Sequence, residues 1–143
     1  MLRDLNPLLS PDLLHCLRAM GHGDEIVIAD ANFPAVSTAK RLIRLDGISA
    51  TDTLEAVLQV MPLDTYVPAP ALTMQVVGDQ HEVPPVVAAF QEVIDRVADQ
   101  PAKLASLERH VFYDRAQTAF AVVQTGETRL YGNIILTKGV IAP

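Results

Sequence analysis

GHGDEIVIADANFP, at residues 21–34, is the stretch that decides the fold predicted for this chain. Its apolar run, residues 26–29, is unbroken, which is typical of a strand buried on both faces by covering helices. His22 lies between two glycines before the run, and Asp30 follows it in a short loop that Pro34 closes. The stretch therefore predicts one buried strand with an ionisable side chain near each end.

Helices and strands alternate on both sides of this strand. Ser10-Pro11-Asp12 predicts a helix start, because serine can cap, proline suits the first helical position and aspartate favours the positive end of the helix dipole. Apolar stripes at helical spacing predict helices over 51–61, capped by Thr51 or Asp52, and from Pro84 or Pro85 to Val97. Further predicted elements are strands at 41–45, 71–77, 104–107, 119–124 and 134–137 and a short helix at 113–118, with 37–40 ambiguous.

This alternation predicts an α/β fold. A length of 143 residues suggests a single domain over residues 1–143. We expect a central, mostly parallel or mixed sheet with helices on both faces.

Composition narrows the classes of partner. Half of the residues are apolar and 20% are charged, which excludes disorder and leaves an apolar excess suited to an oligomer interface. The net charge of −6 and the lack of a basic run argue against nucleic acid, and no apolar run reaches membrane length. A lone cysteine, Cys16, lies inside the first predicted helix, where a buried thiol is inert, and agrees with a reducing compartment. We therefore expect a soluble, cytoplasmic protein.

The sequence gives little support to a metal or nucleotide site. Gly21 and Gly23 follow a helix and precede a strand, whereas a phosphate-binding loop has the opposite order. The spacing of His22, Asp24 and Asp30 matches no strong metal-ligand pattern. No cofactor and no metal are expected.

The polar residues beside the strands each allow two interpretations. His22 either exchanges protons near neutral pH or merely decorates a helix end. Asp30, at the carboxyl end of a buried strand, either binds a ligand, as such positions do in open α/β sheets, or is a plain loop residue. Arg109-His110 and Tyr131-Gly132-Asn133 are likewise site residues or ordinary edge and turn residues.

Four groups of motifs follow one another along the chain: Gly21-His22-Gly23-Asp24-Glu25-Ile26, Asp30-Ala31-Asn32-Phe33-Pro34-Ala35, Phe112-Tyr113 with Arg115-Ala116, and Tyr131-Gly132-Asn133-Ile134-Ile135-Leu136 with Lys138-Gly139-Val140. In combination these motifs resemble the L-fucose mutarotase and D-ribose pyranase family. The resemblance runs essentially end to end, and the glycine after His22, the Asp-Ala-Asn-Phe-Pro-Ala segment and Tyr-Gly-Asn resemble its fucose branch.

The resemblance implies a cofactor-independent isomerase that interconverts the α and β anomers of a free, fucose-like monosaccharide. It implies that His22 is the catalytic proton donor, and that the sugar-contacting residues are Asp30, Arg109, Tyr131, Gly132 and Asn133. It also implies a homo-oligomeric, ring-like assembly. Glu108 and His110, beside the arginine, depart from the family's more neutral setting. A ribose pyranase and a non-catalytic monosaccharide-binding or regulatory module are the alternatives.

Spacing raises a geometric question about this site. His22 and Asp30 are eight residues apart across a strand, so an extended chain could separate them by as much as ~26 Å. Either the glycine turn brings the histidine back along the sheet, or neighbouring subunits each supply part of the site.

Overall fold

The computed structural model describes residues 1–143, which form five helices and six strands. In chain order they are α1 (Pro11–Ala19), β1 (Glu25–Ala29), α2 (Ala35–Thr38), β2 (Leu42–Leu45), α3 (Ala50–Leu58), β3 (Ala71–Met74), α4 (Pro85–Val97), β4 (Ala105–Leu107), α5 (Arg109–Thr118), β5 (Ala121–Thr125) and β6 (Ile134–Thr137). No helix is long and apolar enough to cross a membrane.

The strands form one mixed sheet in the order β2-β5-β1-β6-β3-β4. Parallel pairs join β2 to β5, β5 to β1 and β3 to β4, whereas β6 pairs antiparallel with both β1 and β3. Five strands therefore point the same way, and β6 runs against them in the middle of the sheet. Their carboxyl ends share one edge, together with the residues that enter β6.

Alternate residues of β1 face two separate apolar clusters. Ile26 and Ile28 join the larger cluster, which also contains core residues of α1, α3 and α4. Val27 and Ala29 join the smaller one, with Phe33 and core residues of α2 and α5. The apolar run of β1 thus reflects burial on both faces, and the predicted α/β fold with helices on both sides of the sheet is confirmed.

Two helix starts differ from the sequence prediction. The cap of α3 is Ser49, whose Oγ accepts a hydrogen bond from Asp52 N at 3.1 Å. The two predicted caps, Thr51 and Asp52, already lie inside the first turn of the helix. Helix α5 begins at Arg109 rather than at Tyr113, because the Glu108 carboxylate caps it. Arg109 and His110 therefore belong to a helix and not to a strand edge. The sequence did not predict this because the bulky residues of the first turn show no helical pattern.

Strand β3 is three residues shorter than predicted, ending at Met74 rather than Val77. Beyond it the chain enters a tight turn, in which Asp79 N donates to Val76 O at 3.2 Å and Gly78 has a φ of +88°. This turn carries residues 76–79 out over the carboxyl edge of the sheet.

Candidate functional site

Asp30 and Asn133 meet at the carboxyl edge of the sheet. Asp30 follows β1 and Asn133 precedes the antiparallel β6, so the pairing of these strands brings them together. Asn133 Nδ2 donates to Asp30 Oδ2 at 2.8 Å, and Asp30 N donates to Asn133 Oδ1 at 2.9 Å. The reciprocal pair fixes the carboxylate, and Asn32 N adds a bond to its Oδ1 at 2.9 Å.

Burial raises the pKa of Asp30, and the nearby charge of Glu127 adds to this effect. The hydrogen bonds from Asn32, Asn133 and Phe33 act against it, because they stabilise the charged form. A carboxylate offers about four lone-pair positions, so Asp30 can still accept from a ligand hydroxyl.

Tyr131 and Gly132 form the turn that leads into Asn133. Tyr131 has a φ of +64°, in the left-handed region, and Asn133 N donates to its carbonyl at 2.8 Å. The Tyr131 hydroxyl accepts a hydrogen bond from Val77 N at 3.2 Å, which ties this turn to the loop after β3. At Gly132 a Cβ would come within 2.7 Å of Glu127 Cγ and 3.1 Å of Arg129 O, so glycine is the residue that fits.

Glu127, which sequence reasoning missed, supports this turn from behind. Its carboxylate is paired with Arg129, with Nε at 2.9 Å and Nη2 at 2.8 Å, and also accepts from Ala50 N at 3.3 Å. Its carbonyl accepts from Ala31 N at 2.9 Å. The hydrogen bonds and charge of Arg129 lower the pKa of Glu127 to about 2 despite its burial. Only its place after β5 could have marked it in the sequence.

Arg109 lies at the same edge, beside an open cavity of about 660 Å³. The cavity is lined by residues 75–81 and by Glu108, Arg109 and His110. The Arg109 side chain is exposed, and its guanidinium makes no hydrogen bond or ion pair within the chain, so it is available to a ligand. Val77 lines this cavity and also donates its N–H to the Tyr131 hydroxyl, so the cavity lies next to the turn that contains Tyr131.

His22 lies at the opposite end of β1, in a firmly held turn. Gly23 has a φ of +84°, and its N–H donates to Lys138 O at 2.9 Å. Asp24 Oδ2 accepts from Gly21 N at 2.7 Å. Lys138 Nζ in turn donates to Leu17 O at 2.8 Å and to Met20 O at 2.6 Å, at the carboxyl end of α1. Gly21 and Gly23 thus help to form the turn, and the turn directs the His22 side chain toward solvent.

The His22 ring contacts Asp64 and Tyr66, two further residues that sequence reasoning missed. Its Nε2 lies 2.8 Å from Asp64 Oδ1, and its ring centroid lies 5.3 Å from that of Tyr66. Asp64 follows the bridge between Leu63 and Lys138, so only the folded sheet brings it to His22. Forty-two residues separate the partners, and no local motif signals the pair.

The structure therefore divides the six residues expected from the sequence into two sets. Asp30, Tyr131, Gly132 and Asn133 are together, with Arg109 at the neighbouring cavity. His22 is beyond the other end of β1, and the five residues of this strand alone span roughly 16 Å. No three His, Cys, Asp or Glu side chains are grouped so that they could hold a metal ion.

The chain is similar to known proteins over its whole length. The model of the RbsD / FucU transport protein family matches residues 3–141. A human protein named fucose mutarotase is 50% identical, over 99% of this chain and 95% of its own length. An L-fucose mutarotase of Haemophilus influenzae is 49% identical, over 98% of this chain and 97% of its own length. The crystal structure of the Streptococcus pneumoniae fucose mutarotase in complex with L-fucose superposes with a TM-score of 0.91 at 43% identity, covering 99% of this chain and 100% of that one.

Proposed function

This chain belongs to the RbsD / FucU transport protein family, and we propose that it is an L-fucose mutarotase, an isomerase that interconverts the α and β anomers of the free sugar. The observation that carries the proposal is the full-length identity of 50% to a protein named fucose mutarotase. The geometry agrees with it, because polar groups suited to hydroxyls gather at one sheet edge and an accessible histidine stands at the other.

We assign His22 as the group that exchanges protons with the sugar. Anomer interconversion delivers a proton to the ring oxygen, removes one from the anomeric hydroxyl and breaks the bond between C1 and the ring oxygen. The open aldehyde then rotates and closes on its other face, so protons balance over the cycle. A positioned histidine suits this task because it both gives and takes protons near neutral pH.

The remaining proposed roles concern recognition. Asp30 accepts from sugar hydroxyls, while Arg109, Tyr131 and Asn133 supply donors in fixed directions. Gly132 lets the turn approach closely, since a side chain there would collide with Glu127. Directional hydrogen bonds of this kind discriminate between monosaccharides that differ in one hydroxyl.

We further propose that the active site is completed by a second copy of this chain, in a homo-oligomer. One sugar ring is far smaller than the separation between His22 and the carboxyl edge, so one chain does not bring both to it. Large apolar side chains are exposed at both ends: Tyr66 is 75% exposed beside His22, and Val77 and Leu130 are 63% and 71% exposed at the carboxyl edge. Burial between subunits would remove these surfaces from water.

We also propose that the enzyme works on free sugar in the cytoplasm. Cys16 is a free, buried thiol, as is usual for proteins of reducing compartments. Fractionation of cells with an antibody to this chain tests the location.

Exchange NMR with L-fucose tests the activity. Wild-type protein is expected to accelerate exchange between the anomeric resonances, and His22→Ala to lose most of this acceleration, roughly 10²-fold or more, with an unchanged circular dichroism spectrum. The matched control is His15→Ala, an exposed histidine of α1, which should exchange like wild type.

The same experiment separates the alternatives. A ribose pyranase would accelerate pyranose–furanose exchange of D-ribose more than anomer exchange of fucose. A binding module would shift sugar resonances without accelerating either. Wild-type rates in His22→Ala would refute the role of the histidine.

A further inference from the structure

We propose that Gln124 is a positioning residue for the sugar site, and that its side-chain amide holds the Asp30 loop, residues 30–34, in the conformation that binds the sugar. Gln124 is buried, with 8% of its surface exposed, so it acts through the loop and not by contact with the sugar. The effect on sugar affinity rests on the proposed function. The order of the loop itself does not.

The register of the sheet places Gln124 beside this loop. Gln124 is the partner of Ala29, the last residue of β1, on one side of β5, and of Arg44 in β2 on the other. Side chains two residues apart in a strand share a face, so Gln124 lies on the face of Val122, which belongs to the smaller apolar cluster. The chain between β1 and α2 crosses this same face, and there it meets the Gln124 side chain.

The Gln124 amide binds two carbonyl groups of the Asp30 loop. Its Nε2 donates to Phe33 O at 3.1 Å and to Ala31 O at 3.3 Å. An amide NH₂ group has two protons to donate, and both are used here. One further hydrogen bond, from Ala31 N to Glu127 O at 2.9 Å, ties the loop to the segment after β5. One buried side chain therefore fixes two of the carbonyls of this loop.

Arg44 determines which way the Gln124 amide faces. Arg44 Nη1 donates to Gln124 Oε1 at 2.7 Å, and a guanidinium has no acceptor. The amide oxygen must therefore face Arg44, and the NH₂ group must face the loop. Asp46 holds the guanidinium in turn, with Nε at 3.1 Å from its Oδ2 and Nη2 at 3.0 Å from its Oδ1. The donors of Gln124 are thus directed at the loop by the neighbouring strand.

One peptide group connects Gln124 to the Asp30 carboxylate. The carbonyl of Ala31 and the N–H of Asn32 belong to the same planar peptide unit. Gln124 binds the oxygen of this unit, and Asp30 Oδ1 accepts from its N–H at 2.9 Å. The two side chains therefore hold opposite ends of one rigid group. Without the Gln124 donor this unit is free to rotate, and the direction in which Asp30 offers its oxygens to a sugar is less defined.

The variant Gln124→Met removes the donors and keeps a side chain of similar length. We expect KM for fucose to rise roughly fivefold, the equivalent of one net hydrogen bond, because the loop must be ordered when the sugar binds. The change in kcat should be less than about twofold, since contacts made equally in the ground and transition states affect KM alone. Gln124→Glu should raise KM further, because an ionised carboxylate has no proton to donate and repels both carbonyls. Exchange NMR over a range of fucose concentrations measures both constants.

Hydrogen–deuterium exchange of the sugar-free chain, read by mass spectrometry on peptides of residues 29–36, measures the order of the loop. The four N–H groups of residues 31–35 all make hydrogen bonds, and Pro34 has none to exchange. Gln124→Met should exchange these amides about fivefold faster than wild type. The rest of the sheet should keep its wild-type exchange.

The matched control is Gln91→Met, which removes a second amide that holds a loop. Gln91 Nε2 donates to Ala102 O at 3.0 Å, and its Oε1 accepts from Leu104 N at 2.9 Å. These bonds tie down the segment between α4 and β4, which contains none of the proposed site residues. Gln91→Met should exchange residues 102–106 faster and leave KM for fucose at the wild-type value.

The proposal is overturned if Gln124→Met exchanges the Asp30 loop as slowly as wild type, or if the loop exchanges faster and KM is unchanged. A loss of kcat without a rise in KM overturns it as well. If Gln124→Met does not fold, Gln124→Glu, which keeps the bond to Arg44, supplies the same measurements. If wild type does not accelerate fucose exchange, the mutarotase proposal fails, whereas deuterium uptake by residues 29–36 still decides whether Gln124 holds the loop.

Discussion

Glu127 is the acidic residue whose ionisation is coupled most strongly to this fold. The hydrogen bonds and charge of Arg129 lower its pKa from 4.5 to about 2, although burial acts against them. Because the folded pKa lies below the unfolded one, its contribution to stability is full above about pH 4.5 and is lost as the pH falls toward 2. The difference amounts to roughly 3 kcal/mol of unfolding free energy.

We predict that Glu127→Gln lowers the free energy of unfolding by about that amount at pH 7, because glutamine carries no charge for Arg129. The two proteins should converge in stability as the pH approaches 2, where Glu127 itself becomes neutral. Urea unfolding over the range from pH 7 to pH 2.5 measures this. If the difference in unfolding free energy between wild type and Glu127→Gln stays constant with pH, the charge of Glu127 is not what stabilises the fold.

A surface ion pair provides the matched control for this comparison. Glu55 makes two hydrogen bonds to Arg96, each at 2.9 Å, but the Arg96 side chain is 58% exposed. Glu55→Gln should therefore cost less than about 1 kcal/mol.

Single residues were predictable from the sequence where one pattern marked them. His22 between two glycines and Asp30 after a buried strand stand out against apolar neighbours. Asp64 and Glu127 have ordinary local surroundings, and they become important only when folding brings them to His22 and Gly132. The sequence thus marks residues that are proposed to contact the sugar better than it marks the residues that hold them in place.

Helix α5 shows how one element controls one side chain of the candidate site. Glu108 Oε2 accepts from His110 N at 2.8 Å and from Val111 N at 3.3 Å, which forms the first turn that carries Arg109. Arg109 has no other anchor within the chain. Its direction therefore depends on the cap.

We predict that Glu108→Ala raises KM for fucose with little change in kcat, and lowers the free energy of unfolding by about 1 kcal/mol. Exchange NMR over a range of fucose concentrations, with urea unfolding, measures both. Glu108→Ser should restore KM, because serine also caps helices. If it does not, the Glu108 carboxylate acts on the sugar site by another route.

The control for this experiment is Ser10→Ala, which removes the cap of α1. Ser10 Oγ accepts from Leu13 N at 3.2 Å, and α1 carries none of the proposed site residues. The variant should lose about as much stability as Glu108→Ala, with KM unchanged.

The elements were predictable where their patterns were regular. Strand β6 was predicted with the bounds that the structure shows, because an apolar run marks it. Helices α1 and α4 were predicted to begin where they do, because a proline precedes an apolar stripe at helical spacing in each. α5 was predicted too late, since its first turn contains His110, Val111 and Phe112, which favour no helical pattern. β3 was predicted too long because its alternation continues into a turn that only tertiary contacts define.

At the scale of the molecule, the alternation of elements predicted the layers but not the strand order. Nothing local shows that β6 inserts antiparallel between β1 and β3, yet this insertion places Asn133 beside Asp30. The sequence did raise the separation of His22 from Asp30 as a question. The sharing of a site between subunits stays a prediction.

Mixing two variants that each lack one proposed site residue tests that shared site, with fucose held well below the wild-type KM. His22→Ala removes the proposed proton donor and Arg109→Ala removes an exposed, proposed sugar contact with no intrachain hydrogen bond, so neither change should disturb the fold. If one subunit supplies His22 and its neighbour supplies the carboxyl edge, a mixed oligomer contains some sites with both wild-type groups. Random assembly from equal amounts makes about a quarter of the sites intact, because each contributing subunit has even odds of carrying the needed residue. We therefore predict that co-refolding the two variants restores about a quarter of wild-type fucose exchange, while each variant refolded alone exchanges fucose far more slowly than the mixture. Analytical ultracentrifugation of the same samples verifies that oligomers have formed. Oligomers that form without any recovery of activity would mean that each site is built within one chain, and that the turn at His22 must then move toward the carboxyl edge when the sugar binds.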